Sequence, residues 1–520
     1  MPEIKRRDLL GVGAAALAAG VVAPARAQYL EHDWSGYDWG GGPPVPDRLY
    51  QGPFTNYGAD ANAPGGEVVM ATSPSRDIVP NYGMGLTVYI SGDIGPPRLP
   101  GQSLERSIED LIKLPFVQKV YLRPNWREVQ SRPGSLDLPD WWRLTFDIAQ
   151  HYDKRVGFRI MLENPDFPDP GMPAFLMEKV PCVPLKGSWP GDASQVRYRK
   201  KHAMPRYDHP AYQAAFAELN ALLADRYDGG ADIEYMDTMM YGFWGEGHTW
   251  PFEGNIFPSN AVAQQTMLGM LETQLRCWTK TPLVTNTQPD FNQVGNAAML
   301  DRTVRSNNWI RSDTIFIETT QIEALSNRPA WTAAISEVGM TTGAPDQLGI
   351  EDGVTATEQT IAHVLAVGAN YWSIWNWHHI AAANVLSYYD KYPDPIDHIA
   401  RRIGYRVYPA FVWPFERDGE RGVVIGLAND GVAAPPGVVR LTLSDAHGAV
   451  VASGCVDAGY PRPTGIRQVM LTWPDARDWA GLRLSAELIV KGVRHPLRWA
   501  CRQTLNDDGS LTLRRNIPAG

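Results

Sequence analysis

The sequence predicts an α/β protein in which a (β/α)8 TIM barrel is followed by a C-terminal antiparallel β-sandwich. Between residues 85 and 405, eight short runs rich in β-branched and aromatic residues alternate with helical segments. Several of these helical segments are amphipathic, with apolar residues on one face of the helix. Beyond Tyr405 the helical pattern stops, and short alternating runs separated by Gly, Pro, Asp and Asn replace it. These three observations define the predicted fold.

The barrel prediction depends on the order of the elements in residues 85–405. The predicted strands are Leu86–Ile90, Lys119–Leu122, Val156–Leu162, Ile233–Met240, Pro282–Asn286, Thr314–Ile317, Trp331–Ser336 and Asn370–Trp375. Apolar residues at helical spacing include Leu104, Ile108, Leu111 and Ile112, and then Tyr212, Phe216, Leu219 and Leu223. Thr355 and Glu358 form a capping box for a late helix. Alternating strands and helices imply parallel pairing, and eight units in roughly 320 residues favour a closed barrel over an open sheet.

The segments on either side of the predicted barrel differ from it in composition and in the periodicity of their apolar residues. Residues 28–84 are rich in Gly, Pro, Asp and aromatics without periodicity, and we expect an irregular N-terminal extension. Residues 406–520 contain five short alternating runs, which predict the β-sandwich. These runs group no acids or histidines, so we expect the sandwich to have an accessory role.

The first 27 residues are typical of an export signal. Arg6 and Arg7 precede a short apolar run that ends in the small-x-small pattern Ala25-Arg26-Ala27. The paired arginines resemble the twin-arginine signal, and the ordinary secretory route is the alternative. We therefore expect a periplasmic or secreted protein. An N-terminal membrane anchor is a further alternative, but no membrane association is expected once the signal is removed.

Charge and cysteine content narrow the expected partners. The chain has a formal charge of −9, and residues 1–27 carry four basic and two acidic side chains, so the remainder has a charge of −11. Without a basic block, no nucleic acid partner is expected. Four cysteines in so long a chain do not define a disulfide framework, although Cys455 and Cys501 could pair. No cofactor is expected, and the oligomeric state is open.

The passage after the fourth predicted strand is the most informative in the chain. Glu246 lies between two glycines, where a ligand can approach closely, and follows Phe243 and Trp244. Together with Trp250, these aromatic residues could exclude water and favour the protonated carboxyl that a general acid needs. Reactive groups of barrels of this kind project from the carboxyl ends of the strands. We therefore predict that Glu246 is catalytic; a loop glutamate that accepts backbone hydrogen bonds is the alternative.

The seventh and eighth predicted strands supply further candidates. Glu337 ends a small, apolar strand, so it is predicted to be catalytic unless it pairs with Arg123 or Arg311. Trp375 and Trp377 are either sugar platforms or core residues. Two carboxyls across a barrel mouth suit cleavage of a glycosidic bond.

Several short stretches of the sequence carry a family resemblance. Residues 121–130 and 134–137, with the helix through Trp142 and Ile148, resemble the second-strand region of β-galactosidase-like members of the clan of retaining (β/α)8-barrel glycoside hydrolases. Residues 242–246, 311–313 and 403–406 are more similar to an uncharacterised branch that adds a C-terminal β-sandwich to the barrel. The resemblance implies that Glu246 is the acid/base and Glu337 the nucleophile.

One departure from that clan concerns substrate binding. Many members have Asn directly before the acid/base, where it binds the sugar 2-hydroxyl, and Gly245 stands there in this chain. Asn164, Asn286 or Gln288 could take over that contact, or the site could bind an unusual substrate or lack activity.

Other acids compete with Glu246 and Glu337. Glu163, Asp237 and Glu318 lie in or at the ends of predicted strands, and Glu163 could pair with Glu246 in another register. The full set of predicted substrate-binding residues is Arg123, Trp126, Glu163, Asn164, Asp237, Tyr241, Trp244, His248, Asn286, Gln288, Trp375 and Trp377.

The sequence leaves three functional hypotheses. The first is an exported glycoside hydrolase with an oligosaccharide or glycoside substrate, and the second is a non-catalytic carbohydrate-binding barrel. The third, a metal-dependent hydrolase or lyase, has five histidines available but none at the His-x3-His spacing of common zinc sites.

Overall fold

The computed structural model of the chain describes residues 68–90, 100–165, 170–187, 202–287, 297–312, 319–337, 361–375, 389–390, 393–417 and 419–515. Its strands in chain order are β1 (Met70–Ala71), β2 (Gly85–Tyr89), β3 (Lys119–Leu122), β4 (Arg155–Phe158), β5 (Cys182–Pro184), β6 (Ala203–Pro205), β7 (Ile233–Asp237), β8 (Leu283–Asn286), β9 (Trp309–Ser312), β10 (Ala334–Glu337), β11 (Tyr371–Trp375), β12 (Val407–Arg417), β13 (Glu420–Asn429), β14 (Val438–Ser444), β15 (Val450–Val456), β16 (Ile466–Trp473), β17 (Arg483–Val490), β18 (Val493–Leu497) and β19 (Leu511–Thr512).

Eight of these strands close into a parallel barrel, in the order β2, β3, β4, β7, β8, β9, β10, β11 and back to β2. The helices that the structure describes are Leu104–Ile112, Trp126–Val129, Asp140–His151, Ala174–Met177, Pro210–Tyr227, Asn260–Cys277, Ala297–Arg305, Thr319–Ser326 and Pro393–Arg402. Parallel neighbours need crossover connections, and these helices provide those between successive barrel strands from β2 to β10. The predicted (β/α)8 fold is therefore confirmed.

Local sequence signals explain where the helices begin and which face they bury. The side chain of Ser103 accepts a hydrogen bond from the amide of Arg106, which caps the helix Leu104–Ile112. The apolar stripe of this helix, including Ile108 and Leu111, is buried against the barrel. Pro210 occupies the first turn of the long helix Pro210–Tyr227, a position where its missing N–H costs nothing.

The barrel interior is filled with aromatic rings. Tyr235 lies 5.5 Å from Tyr371 and 6.5 Å from Trp309 between ring centroids, and Tyr121 lies 6.1 Å from Tyr235. Successive side chains of a strand point to opposite faces, so residues two positions further along also face inwards. A layer of rings therefore fills the interior, and the next inward positions lie closer to the carboxyl ends of the strands.

The C-terminal region is a β-sandwich, as predicted. One sheet has the order β1-β12-β13-β16, and the other has the order β15-β14-β17-β18, with β19 also paired to β17. Buried residues alternate along β17, as expected for a sheet with one face in a core. The two sheets share a core that includes Ile425, Leu441 and Leu484.

The sandwich is fastened to the barrel by specific contacts. The ammonium group of Lys491 donates to the carbonyls of Trp278 and Thr281 and to the side chain of Asn308, at 2.8, 3.2 and 2.8 Å. The ring of His495 stacks on Tyr82, with centroids 3.5 Å apart. Burial lowers the pKa of Lys491 to about 8.

Two sequence-based boundaries need correction. The sixth barrel strand is Trp309–Ser312, and the predicted strand Thr314–Ile317 lies outside the described residues. The segment predicted as an irregular extension includes β1, which pairs with β12 and so belongs to a sandwich sheet.

Two further observations concern the whole described part of the chain. All four cysteines are free, so the pairing of Cys455 with Cys501 considered above does not occur. Among the described residues, no helix has the length and apolar character needed to cross a membrane.

Candidate active site

Three carboxylates meet at the carboxyl end of the barrel. Asp237 is the last residue of β7 and Glu337 is the last residue of β10, whereas Glu246 lies on the loop after β7. Asp237 follows Tyr235 by two residues, so its side chain lies one layer above the aromatic rings. All three carboxylates are buried.

Glycines shape the loop that carries Glu246. Gly242 has a φ of +82°, and a Cβ there would lie 2.0 Å from the carbonyl oxygen of His248. Gly245 has a φ of +75°, in the left-handed region that side chains other than glycine rarely adopt. The loop closes on itself where the amide of Phe243 donates to the carbonyl of His248 at 2.9 Å. This tight turn returns the chain over the barrel and places Glu246 beside Asp237.

A single guanidinium group, that of Arg311, contacts all three carboxylates. Its Nη1 donates to Oε1 of Glu337 at 2.6 Å, and its Nη2 donates to Oε1 of Glu246 at 3.0 Å. Its Nε lies 3.1 Å from Oδ2 of Asp237, close enough for an ion pair but without the direction of a hydrogen bond. Arg311 lies on β9 two residues after Trp309, on the inward face. It was considered from sequence only as a structural partner of Glu337.

A second arginine reinforces this arrangement. Nη2 of Arg159 donates to Oε1 of Glu246 at 2.8 Å, and its Nη1 lies 3.2 Å from Oδ2 of Asp237. Arg123, which was predicted from sequence, lies further away, with Nη1 3.7 Å from Oε1 of Glu246. Buried charges are costly unless they are paired, and these three arginines face three carboxylates. We call these six residues the carboxylate–arginine cluster.

Two tyrosines complete the hydrogen bonding of the cluster. The hydroxyl of Tyr89 donates to Oε1 of Glu337, and the hydroxyl of Tyr121 donates to Oδ2 of Asp237 at 2.8 Å. Burial raises the pKa of both tyrosines well above the usual value, so both remain protonated donors. Burial also raises the pKa of Asp237, and the nearby Arg311 and Arg159 oppose that shift.

The surroundings of Glu246 differ from the aromatic wall that the sequence predicts. Phe243 packs against His202 and Phe252, with centroids 5.4 and 5.7 Å away. Trp250 is 43 % exposed. Trp244 is half-buried, with its ring 5.9 Å from that of His248. The side chain of Glu246 contacts three arginines and a histidine, so guanidinium groups are prominent in its electrostatic surroundings.

Two residues predicted to bind substrate lie in the protein core. Trp126 is fully buried, donates its indole N–H to Gln130 at 2.8 Å and packs edge-on against Tyr212. Tyr241 is buried and packs edge-on against Tyr207 and Phe257. Both predictions are corrected, because apolar residues at strand and helix ends pack inwards as readily as they line a mouth.

Glu163 occupies a separate buried environment. Its carboxyl accepts a hydrogen bond from the amide of Gly171 at 2.8 Å, and burial raises its pKa to about 8. Its carboxyl is thus held by a backbone amide, whereas that of Glu246 is held by arginines. The backbone carbonyl of Glu163 accepts from Trp244 and supports the loop that carries Glu246.

The remaining predicted residues are placed as follows. The side-chain amide of Asn286 donates to the backbone carbonyl of Glu246 at 3.2 Å, so it holds the loop. Asn164 is buried. Trp375 ends β11, and its side chain lies outside the described residues, as do Gln288, Trp377 and Glu318.

Sequence reasoning missed Arg159, Tyr89 and Tyr121, and gave Arg311 no role in the site. A usable signal existed, because each lies in the last two positions of a barrel strand or directly after it, where a charged or hydroxyl group is not needed for packing. As for a metal, the described residues contain no group of three or more His, Cys, Asp or Glu side chains that could hold an ion.

The fold and site define a (β/α)8 barrel with a C-terminal β-sandwich and a carboxylate–arginine cluster at the carboxyl end of the barrel. No family model and no curated protein sequence matches the chain. Among solved structures, it is similar to endo-glycoceramidase II from Rhodococcus sp., with 13 % identity over 76 % of this chain and 97 % of that chain and a TM-score of 0.36.

Two further structures are similar at the same level. A glycoside hydrolase family 5 enzyme from Prevotella bryantii B14 shares 10 % identity over 64 % of this chain and 98 % of its own, with a TM-score of 0.36. A GH5_18 protein from Bifidobacterium longum subsp. longum shares 12 % identity over 61 % and 78 %, with a TM-score of 0.36.

Proposed function

We propose that this protein is a glycoside hydrolase that cleaves a glycosidic bond of an oligosaccharide or glycoside with Glu246 as acid/base and Glu337 as nucleophile. The observation that carries the proposal is that Glu246 and Glu337 meet at the carboxyl end of the barrel, where the two terminal nitrogens of Arg311 each hold one of their oxygens. Arg311 does pair with Glu337, which is the structural alternative that the sequence left open, so the proposal rests on the position of the two carboxyl groups and is decided by the variants below. Hydrolysis of a glycosidic bond requires two carboxyl groups close together, and reactive groups of such barrels lie at the carboxyl end of the strands.

The bridge also favours retention of configuration. Retaining enzymes have their carboxyl groups about 5–5.5 Å apart, whereas inverting enzymes need roughly 6.5–9.5 Å to admit a water molecule. Two carboxylates that share one planar guanidinium lie close together, which supports the shorter spacing.

The assignment of Glu337 as nucleophile follows the family resemblance, and the donors around Glu337 are compatible with it. Glu337 receives the hydroxyl of Tyr89 and Nη1 of Arg311 on its Oε1. Both donors stabilise the ionised carboxylate, which is the form that attacks the anomeric carbon. Glu246 then protonates the leaving oxygen and later removes a proton from the water that hydrolyses the glycosyl–enzyme.

The test is hydrolysis of 2,4-dinitrophenyl and phenyl glycosides of glucose, galactose, mannose and N-acetylglucosamine, in both anomeric forms. Glu246→Gln and Glu337→Gln should each reduce kcat/KM at least 10²-fold, the lower end of the usual contribution of a general acid. The first product, observed by NMR, should have the anomeric configuration of the substrate. An active wild-type enzyme with both variants undiminished would exclude the assignment.

A non-catalytic carbohydrate-binding barrel is a second candidate. The observation that favours it is that Oε1 of Glu246 accepts from two guanidinium groups, which oppose the protonated form that a general acid needs. Calorimetry that detects oligosaccharide binding, combined with no product on the glycoside panel, would support this candidate.

We further infer that the protein is exported by the twin-arginine route and acts in the periplasm or outside the cell. Residues 1–27 support this inference. Residues 121–130 support a place near the β-galactosidase-like members of the clan, and residues 242–246 support a place near the branch that adds a C-terminal β-sandwich. Replacement of Arg6 and Arg7 by Lys should retain the protein in the cytoplasm, as measured by cell fractionation. Continued export of that variant would favour the ordinary secretory route.

A further inference from the structure

His248, which the sequence predicts to bind substrate, lies beside the carboxylate–arginine cluster. It is buried, and its Nε2 lies 3.5 Å from Oε2 of Glu246. Its other ring nitrogen, Nδ1, is also buried and makes no hydrogen bond in the described structure. A buried polar atom without a partner is costly, so a histidine kept in this place calls for an explanation.

The two oxygens of Glu246 face different groups. Oε1 accepts hydrogen bonds from Arg159 and Arg311, at 2.8 and 3.0 Å. Oε2 faces the imidazole of His248. An arginine cannot release a proton at ordinary pH, whereas an imidazole can both donate and accept one. The Oε2 side of Glu246 is therefore the side on which a proton can be exchanged with the protein.

The loop fixes this pairing through its backbone. The carbonyl of His248 accepts from the amide of Phe243 at 2.9 Å, and the amide of Gly247 donates to the carbonyl of Tyr241 at 2.8 Å. These bonds close the turn around Glu246 and hold the two side chains on the same loop. The 3.5 Å separation is slightly longer than a good hydrogen bond, as is common for catalytic groups before substrate is bound.

We propose that His248 is the proton-transfer partner of Glu246, acting through that carboxyl rather than on the substrate. The proposal rests on the glycosidase function proposed above. The arginines hold Oε1 of Glu246, and Nε2 of His248 exchanges a proton with Oε2 when the reaction requires it.

The proton balance over one catalytic cycle is closed. Glu246 gives its Oε2 proton to the glycosidic oxygen as the bond from that oxygen to the anomeric carbon breaks and the bond to Glu337 forms. Water then attacks the anomeric carbon, breaks the bond to Glu337 and gives its proton to Glu246. Nε2 of His248 donates a proton to Oε2 before the first step and receives one back after the second.

The test compares leaving groups, because only a defect in proton donation depends on them. A phenyl aglycone needs protonation to leave, whereas a 2,4-dinitrophenyl aglycone leaves with little help. For His248→Gln, we expect kcat/KM on the phenyl glycoside to fall about 10²-fold or more, in line with loss of acid catalysis. On the dinitrophenyl glycoside of the same sugar, we expect a fall of less than about tenfold.

Two further variants separate chemistry from structure. His202→Gln removes a buried histidine that packs against Phe243 and Phe252 behind the same loop. This variant should lower kcat/KM by the same factor on both glycosides or leave kcat/KM unchanged on both. His248→Phe keeps a ring in place and should reproduce the leaving-group dependence of His248→Gln, with its folding checked by circular dichroism.

The outcomes separate this proposal from the one on which it rests. For His248→Gln, an equal fall of kcat/KM on both glycosides, or no fall on the phenyl glycoside, would overturn the role of His248. The variants Glu246→Gln and Glu337→Gln report on glycosidase function independently of that result. If those two variants keep full activity, the proposed function itself fails.

Discussion

Removal of the Arg311 guanidinium is the perturbation that tests the carboxylate–arginine cluster most directly. Arg311→Lys keeps the positive charge, but its single ammonium cannot span Asp237, Glu246 and Glu337. Arg311→Ala removes the charge as well and leaves space for a small cation. Arg305→Ala is the matched control, since Arg305 lies on the outer helix Ala297–Arg305 and is 78 % exposed.

The expected magnitude follows from the contacts. Arg311 makes two directed hydrogen bonds to carboxylates, and such charged bonds contribute about 1.5–3 kcal/mol each. Arg311→Lys loses one of them, and kcat/KM should fall roughly 10- to 10²-fold. Arg311→Ala loses both, about 3–6 kcal/mol, so the expected fall is roughly 10²- to 10⁴-fold.

Chemical rescue supplies the decisive measurement. Guanidinium ion at non-denaturing, millimolar concentration should restore part of the activity of Arg311→Ala, whereas ammonium at the same ionic strength should not. The acid limb of the pH–rate profile should also move to higher pH, because the loss of positive charge favours protonation of the nucleophile. A fully active Arg311→Lys, or rescue by either cation equally, would refute the bridging role of Arg311.

Three other predictions concern burial, backbone and thiols. Burial raises the pKa of Glu163 to about 8, so the folded protein binds the proton of this carboxyl more tightly than the unfolded chain does. The resulting contribution to the free energy of unfolding is fully present below the pKa that Glu163 has in the unfolded chain, and it is lost as pH rises towards 8. Glu163→Gln should therefore raise the melting temperature relative to wild type at pH 8 and much less at pH 5, and an equal change at both would contradict the burial argument. Gly242→Ala should abolish activity, because its Cβ would meet a carbonyl at 2.0 Å, whereas Gly269→Ala, with open space around it, should keep activity and raise the melting temperature slightly. Cys455 is exposed and Cys501 is buried, so a thiol reagent should label Cys455 in the native protein and Cys501 only after denaturation; a disulfide-linked peptide in the mass spectrum would disprove the free-thiol assignment.

The fold was largely predictable from sequence because most barrel strands and helices carry their own patterns. Seven of the eight predicted barrel strands overlap the observed ones. The sixth was misplaced, since Thr314–Ile317 is a stronger apolar run than Trp309–Ser312 and the true strand contains Arg311. A charged residue inside a barrel strand makes the strand hard to recognise from sequence, because hydrophobic patterns are interpreted on the assumption that the interior is apolar.

The candidate site was predictable only in part, and for a related reason. Glu246, Glu337 and Asp237 could be selected because acids at strand ends have no packing function. Their partners could not be selected, since contacts such as that of Arg159 with Glu246 join residues 87 positions apart in the chain. A charged residue that interrupts the apolar pattern of a predicted strand indicates a position with a functional role, and Arg159 and Arg311 are both such residues.

The backbone at Gly245 bears on the missing asparagine. A Cβ at this position would have the Cδ of Arg159 as its nearest neighbour, at 3.5 Å, which is an ordinary van der Waals contact. The constraint at this position is therefore the backbone, because the positive φ of Gly245 strains residues with a side chain. Polar contacts to Glu246 come instead from guanidinium groups at Oε1 and from His248, which faces Oε2.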